Sequence, residues 1–574
     1  MKHLLKYMKS YRIQSVLAPL FKMLEASFEL FVPLVMAAII DVGIAEKDMY
    51  YIGRMGAVLI ALAVIGLTCS LTAQYFSAKA AVGFATNLRH ALFEHLSSLS
   101  FTEIDKLGTN TMITRMTSDV NQLQNGVNLT LRLLLRSPFI VFGAMVMAFT
   151  VNIRAAFVFV VAIPLLSIVV FGIMYISIPL YRNVQAALDK ILGRTRENLI
   201  GARVLRAFCK EKEETEHFLD ENEKLYGLQI FVGRISAVMN PVTYIIVNVA
   251  LIVLLQIGAI QVNEAVITQG EVVALVNYMS QILVELVKMA TLIIQITKAF
   301  ACAKRVEKVF EIKNSMQWKN FTEHMQGEDS IRFEHVSLHY EGAGAEALTD
   351  VHFSVKPGET LGIIGGTGSG KTSLINMIIR AYDATKGNVY IDGTNVRDYD
   401  EETLLSKIGI VPQKAVLFNG SIRDNLKWGN ENASEEDMWQ ALSIAQAKEF
   451  VEDKQGGLDF EVSQGGRNLS GGQRQRLTIA RAIVKQPDIL ILDDSASALD
   501  FATDAKLRKA IREMSGSMTT VIVSQRATSV MHADKIIVLD DGKVAGIDNH
   551  ENLLSDNDVY KEIYYSQFPE QKNA

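Results

Sequence analysis

Apolar residues crowd the chain up to about position 302 and thin out sharply beyond it. Six stretches in that first part stay apolar over roughly 20 residues, the length a helix needs to cross a bilayer. They lie near 14–40, 52–78, 136–153, 155–180, 241–262 and 272–300. The fourth, AAFVFVVAIPLLSIVVFGIMYISIPL, is the least interrupted. Past residue 330 the pattern changes to short apolar runs alternating with amphipathic stretches, the mark of strands alternating with helices. Between the two lies the polar segment KNSMQWKNFTEHMQGED, read as a linker over 313–329. The pattern predicts a membrane α-helical bundle (1–312), with six transmembrane helices, fused to an α/β domain (330–574).

Two of the connections between spans, roughly 79–135 and 181–240, are far longer than turns and rich in helix formers. They read either as solvated helical hairpins or as long cytoplasmic extensions of the spans ending in short transverse helices. The second holds Arg182, Lys190, Arg194, Arg196, Arg203, Arg206, Lys210, Lys212, Lys224 and Arg234, whereas QVNEAVITQG has no basic residue. Together with the basic amino terminus this bias places both termini and the α/β domain in the cytoplasm, in a multi-pass protein of the plasma or inner membrane. The stretch after MKHLLKYMKSYR is too long for a signal peptide and is read as a retained first span. A net charge of −5 argues against bulk attraction to nucleic acid. The three cysteines, with no C-x-x-C pair, suggest neither a disulfide framework nor a zinc site.

Charges within the apolar spans need a reason, because lipid does not solvate them. The first span carries Lys22, Glu25 and Glu29 and the sixth carries Glu285 and Lys288. With Asp41 and Glu271 at the outer rim, Glu25 and Lys288 fall roughly 24–25 Å below it, and Glu29 and Glu285 roughly 18–21 Å. Charges sharing a depth either pair across a polar cavity or, if the helices outrun the bilayer, sit in cytoplasmic water.

In the second half, TLGIIGGTGSGKTSLINMIIRAY is an apolar strand, a glycine loop and an amphipathic helix. Gly365, Gly370, Lys371 and Thr372 fit G-x-x-x-x-G-K-[ST] in the context that motif requires. The loop Gly366, Thr367, Gly368, Ser369 and Gly370 lets backbone N–H groups face phosphate oxygens, and the helix start adds its positive end. Lys371 is expected to reach the β and γ phosphates of ATP, and Thr372 to ligate Mg²⁺. The strand ILILDD delivers Asp493 to the same ion, with Gln413 at another strand end. Ser470, Gly471, Gly472 and Gln473 open a further helix, as an ordinary cap or as a phosphate site for a nucleotide held by another chain.

In their order GGTGSGKTS, VPQ, LSGGQ, ILILDD…SALD and VIVSQRAT, these motifs identify the chain as resembling an ABC transporter half of the exporter class over nearly its whole length. The resemblance implies Tyr340 stacking on adenine and a head-to-tail dimer in which each ATP lies between one chain's glycine loop and the other's LSGGQ. It also implies coupling helices near 102–110 and 205–214. Two positions depart from the family. Asp494 stands where the pattern has glutamate, and one methylene less retracts the carboxylate by roughly 1–1.5 Å. General-base help contributes about 10²–10⁴-fold, and misplacement on that scale costs around 10²-fold. Gln525 replaces the switch histidine and cannot carry a proton.

Both changes weaken hydrolysis and spare binding. The expectation is therefore a degenerate site in a heterodimer with a second, non-identical ABC half-transporter, exporting a small amphipathic substrate across the lipid bilayer. The chain resembles the degenerate-site subunit of bacterial heterodimeric multidrug exporters. The alternatives are a homodimer with slow ATPase and an ATP-gated regulator or channel.

Overall fold

The computed structural model describes residues 3–319, 327–495, 499–514, 516 and 518–570, so 320–326 of the expected linker lie outside the described residues. The chain forms two compact units, Met1–Ser97 with Gly108–Ile312, and Ser98–Leu107 with Lys313–Ala574. By sequence, all of 1–312 belongs to the membrane bundle. In the structure the short helix Phe101–Leu107 clusters with the soluble unit instead.

Among the described residues of the membrane unit six helical stretches are long and apolar enough to cross a bilayer: Leu4–Ile44, Met49–Ser97, Thr109–Val151, Ile153–Ile200, Glu211–Asn263 and Gln269–Glu311. Five contain their expected apolar stretch whole, and the third stops at Val151, two residues short of the end of 136–153; each runs well past its stretch into the long connections on the basic side. At 1.5 Å per residue a 48-residue helix is about 72 Å long, more than twice the hydrocarbon thickness, so the ends are built for water. The core where spans one, three, four, five and six meet is lined by small residues, among them Ala144, Ala148, Ala155, Ala156 and Ala274, all buried. Small side chains let helix backbones approach where no hydrophobic force drives them together. The buried Tyr278 hydroxyl donates to the Leu30 carbonyl at 2.7 Å, tying span six to span one. At the other end of the same pair, the Asp41 carboxylate accepts from the Gly270 N–H (2.7 Å) and the Thr268 hydroxyl (2.5 Å). A Cβ on Gly270 would lie 2.4 Å from the Ala37 carbonyl oxygen, so this close approach needs glycine. Far below, Asp119 is held by Arg115 at 2.7 Å and by Arg305 at 3.1 Å, joining spans three and six.

The soluble unit contains strands β1 (Ile331–Leu338), β2 (Leu348–Val355), β3 (Thr360–Gly365), β4 (Lys386–Ile391), β5 (Thr394–Asn395), β6 (Ile408–Val411), β7 (Gly420–Ser421), β8 (Glu461–Val462), β9 (Ile489–Asp493), β10 (Thr519–Ser524), β11 (Lys535–Asp540) and β12 (Lys543–Asp548). They form a four-stranded sheet β2-β1-β4-β5, a six-stranded sheet β12-β11-β3-β10-β9-β6 and a pair β7-β8. In the larger sheet β11, β3, β10, β9 and β6 are parallel and β12 is antiparallel. All five residues of β9 are buried, as a central strand covered on both faces must be. Parallel pairing sets the carboxyl ends of β3, β10, β9 and β6 side by side at one edge of the sheet. That edge is where such folds bind ligands.

Candidate functional site

Each strand in that row delivers one part of a phosphate site. β3 runs into the glycine loop, where Gly368 and Gly370 take φ of +84° and +96°. A side chain at either position would be strained, and a Cβ on Gly370 would lie 2.7 Å from the Ala347 carbonyl oxygen. The loop ends at the helix Lys371–Ile378, whose first N–H groups have no intrahelical partner and favour an anion. Thr367, Gly368, Gly370, Lys371 and Thr372 line a cavity of about 250 Å³. The same cavity is lined by Gln413 beyond β6, Asp493 and Asp494 at the end of β9, and Gln525 beyond β10. Residues scattered over some 160 positions thus meet because four parallel strands end together.

The electrostatics of the cavity follow from burial. The Lys371 ammonium donates to the Gly365 and Gly366 carbonyls at 2.9 and 2.6 Å, curled over its own loop. Burial holds it below the ordinary lysine value, against the pull of Asp493 and Asp494. Asp493 is pushed up by burial and by the neighbouring Asp494 charge, and is relieved by Lys371 and a hydrogen bond from Thr372. Asp494 is likewise raised by burial, offset by a hydrogen bond from Gln413 and by Arg526 and Lys371. Its backbone sits at φ +44°, in the left-handed region an aspartate tolerates better than most residues, and its N–H donates to the Val523 carbonyl at 2.9 Å. An anionic polyphosphate would swing Lys371 outward and relieve its desolvation, which suits a site built to bind one.

Thr372, Gln413 and Asp493 offer a hydroxyl, an amide oxygen and a carboxylate at one cavity, the hard oxygen donors magnesium takes. A bound ion would neutralise charge on transferring phosphoryl oxygens. Asp494 is the carboxylate nearest in sequence to that set, and Gln413 already holds it. Gln525 faces the cavity with an exposed amide, its main-chain carbonyl fixed by Gln567 at 2.8 Å.

Two of the expected groups lie outside this cavity. Tyr340 lines a neighbouring cavity of about 550 Å³ with Tyr382 and Asp105. Its hydroxyl donates to Ser373, which borders the phosphate cavity. Tyr340 meets Tyr382 edge-on at 5.0 Å, and Tyr382 donates to Asp105 on the helix Phe101–Leu107. That short helix falls within the expected coupling segment 102–110 apart from its first residue, and Ala202–Ala207 overlaps the start of 205–214. Ser470, Gly471, Gly472 and Gln473 do not line the phosphate cavity. Ser470 caps the helix Gly471–Ile483 and exchanges hydrogen bonds with Gln473 in a capping box.

In the membrane unit the charges pair, with one partner, Arg136, that the sequence did not suggest. Glu25 is held by Lys22 on its own helix at 2.6 Å, and Lys22 also donates to Ser70 of the second span. Glu29 and Glu285 are joined through Arg136, at 2.7 Å on each side, and Lys288 reaches Glu285 at 2.9 Å. Arg136 escaped the sequence reading because it stands first in an apolar run, where a basic residue reads as a boundary. Its only signal was a cation at the depth of two unpaired acids.

Similarity to known proteins agrees with this architecture. Residues 15–286 match the ABC transporter transmembrane region and 348–497 the ABC transporter domain. YfiB of Bacillus subtilis, an uncharacterized ABC transporter ATP-binding protein, is 35% identical over 99% of both chains. An uncharacterized ABC transporter ATP-binding protein of Mycobacterium tuberculosis is also 35% identical, over 98% of this chain and 97% of its own. The ATP-dependent lipid A-core flippase of Desulfotalea psychrophila is 30% identical over 91% of both. A bacterial Atm1-family ABC exporter with ATP bound shares the fold, with a TM-score of 0.78 at 22% identity over 97% of this chain and 98% of that one. With six membrane spans fused to an ATP-binding domain of this kind, the chain belongs to the ABC transporter family and has the architecture of its ATP-driven exporters.

Proposed function

We propose that this chain is the ATP-holding subunit of a heterodimeric exporter. It binds Mg-ATP between its own glycine loop and a partner's signature loop, hydrolyses it poorly, and lends its intact LSGGQ to a consensus site on an unlike partner. The observation that carries the reading is the pair Asp494 and Gln525 in one phosphate cavity. A shortened carboxylate already engaged by Gln413 stands beside an amide that cannot relay a proton. The groups that hold nucleotide, Lys371, Thr372 and Asp493, keep their full chemistry. Closure of the nucleotide domains on ATP drives the spans from inward- to outward-facing, and hydrolysis at the partner's site resets them. The 30% identity to a lipid A-core flippase supports an amphipathic cargo. The basic side of the spans supports a cytoplasmic nucleotide domain under a plasma or inner membrane.

The test is ATPase activity of the chain purified alone and then with its partner. Little turnover alone and a large gain on mixing are expected. Ordinary pump-like turnover by the isolated chain would favour a homodimer and overturn the proposal.

A further inference from the structure

Between spans one and six of the membrane unit lies a cavity of about 500 Å³ whose lining includes Glu29, Gln281, Glu285 and Lys288. The four charges near it form a linear chain of alternating sign, Glu29–Arg136–Glu285–Lys288, with no net charge. The middle pair is sealed in: Arg136 is 8% exposed and Glu285 is 3% exposed, the latter also accepting from Ser137 at 2.8 Å. The two ends are open, with side chains 40% exposed at Glu29 and 47% at Lys288. An alternating chain with an even number of members must end in opposite charges. The buried pair keeps those ends from neutralising one another, so the cavity presents one carboxylate and one ammonium to whatever enters.

Gln281 also lines this cavity, but its side-chain carbonyl oxygen is closed off from solvent, with no hydrogen-bond partner among the described residues. Val32, Pro33, Met36 and Val284 supply apolar wall around these polar atoms. Arg136 between two acids leaves one net negative charge, which Lys288 balances. What the balance does not require is that both end groups stay half-exposed toward the cavity.

We infer that this cavity recognises a zwitterionic amphiphile, its cationic group at Glu29, its anionic group at Lys288, and its chain against the apolar wall. The inference rests on reading the chain as an exporter and names its substrate class. A singly charged amphiphile gains one end and meets repulsion or an unanswered charge at the other. The complementary head therefore comes from a membrane phospholipid or from a free amphiphile.

The test uses the full chain assembled with its partner in vesicles, and three probes of equal alkyl length: an alkyl phosphoethanolamine, an alkyl phosphate and an alkylamine. The zwitterion is expected to stimulate ATPase at a concentration about tenfold lower than either other probe. Glu29→Gln should bring the alkyl phosphate level with the zwitterion, and Lys288→Met should do the same for the alkylamine. Equal potency of the three probes on the unaltered protein overturns the inference, and that comparison needs no variant to fold. So does an unchanged ranking in both folded variants. ATP-dependent movement of labelled phosphatidylethanolamine between leaflets would identify a lipid source, and stimulation without it a free amphiphile. Robust ATPase by the isolated chain would overturn the division of labour proposed above and leave this ranking standing.

Discussion

The phosphate cavity and the membrane charge chain both bury ionic groups, and they stabilise them by opposite means. In the soluble unit the burial is incomplete by design. Lys371, Asp493 and Asp494 are all shifted toward their neutral forms, a cost that a bound polyphosphate and metal ion would offset. In the membrane unit Arg136 and Glu285 answer each other within the protein. One site holds charge that burial disfavours, and the other satisfies its core and leaves only the two ends to the ligand. Poise toward ligand and internal closure are thus separable in one chain.

The sharpest way to break the comparison is to remove Arg136. Arg136→Met would leave Glu29 without its partner and Glu285 with only Lys288 and Ser137, at a cost of about 3 kcal/mol, the lower end for breaking a buried ion pair. Thermal unfolding of the purified protein should fall accordingly, and Arg136→Met with Glu29→Gln and Glu285→Gln should recover most of it. Lys371→Ala, by contrast, should raise the melting temperature slightly or leave it unchanged, because it removes a desolvated charge. It should still weaken ATP binding at this site by about a hundredfold or more, roughly two charge-assisted hydrogen bonds. Equilibrium binding of a fluorescent ATP analogue separates those outcomes.

Restoring Asp494→Glu with Gln525→His tests whether geometry alone silences the site. Single-site turnover should rise by about 10²-fold, measured with the partner's own site disabled. The pH dependence has a definite sign. Burial raises Asp493 above its ordinary 3.8, so it takes up a proton at higher pH than a free aspartate. Mg-ATP affinity should therefore begin to fall, as pH drops, above the ordinary aspartate range. Fold stability from the same group moves the other way, since the native state binds that proton more readily than the unfolded chain. Binding and unfolding titrations over the acidic range check both. The smallest effect belongs to Tyr340→Phe. It loses only the 3.1 Å bond to Ser373 and should weaken nucleotide binding by at most about 1 kcal/mol. Tyr340→Ala should lose the stacking surface as well, about 1–3 kcal/mol.

The nucleotide machinery was legible because it is written in short motifs. A glycine loop between a strand and a helix, and an apolar strand ending in acids, state their chemistry within ten residues, and parallel pairing then has few ways to arrange them. Helix ends were less legible. Apolar runs mark only the lipid-facing part, so Leu4–Ile44 or Glu211–Asn263 extends into water where hydropathy is silent. The placement of Phe101–Leu107 with the soluble unit depends on contacts such as Tyr382 with Asp105, between positions nearly three hundred residues apart.

By itself, then, the amino-acid sequence determined the six spans, the α/β domain and the short motifs whose residues line the cavity at the sheet's edge. Each of these is a local property: a run of apolar side chains or a backbone that must turn. Only the tertiary structure decided which charges meet. Arg136 selects Glu29 and Glu285 over Glu25, and the alternating chain ends at Lys288, because three helices bring side chains from distant parts of the chain to one level. Pairing energy falls steeply with distance and burial, and neither quantity is written along the chain.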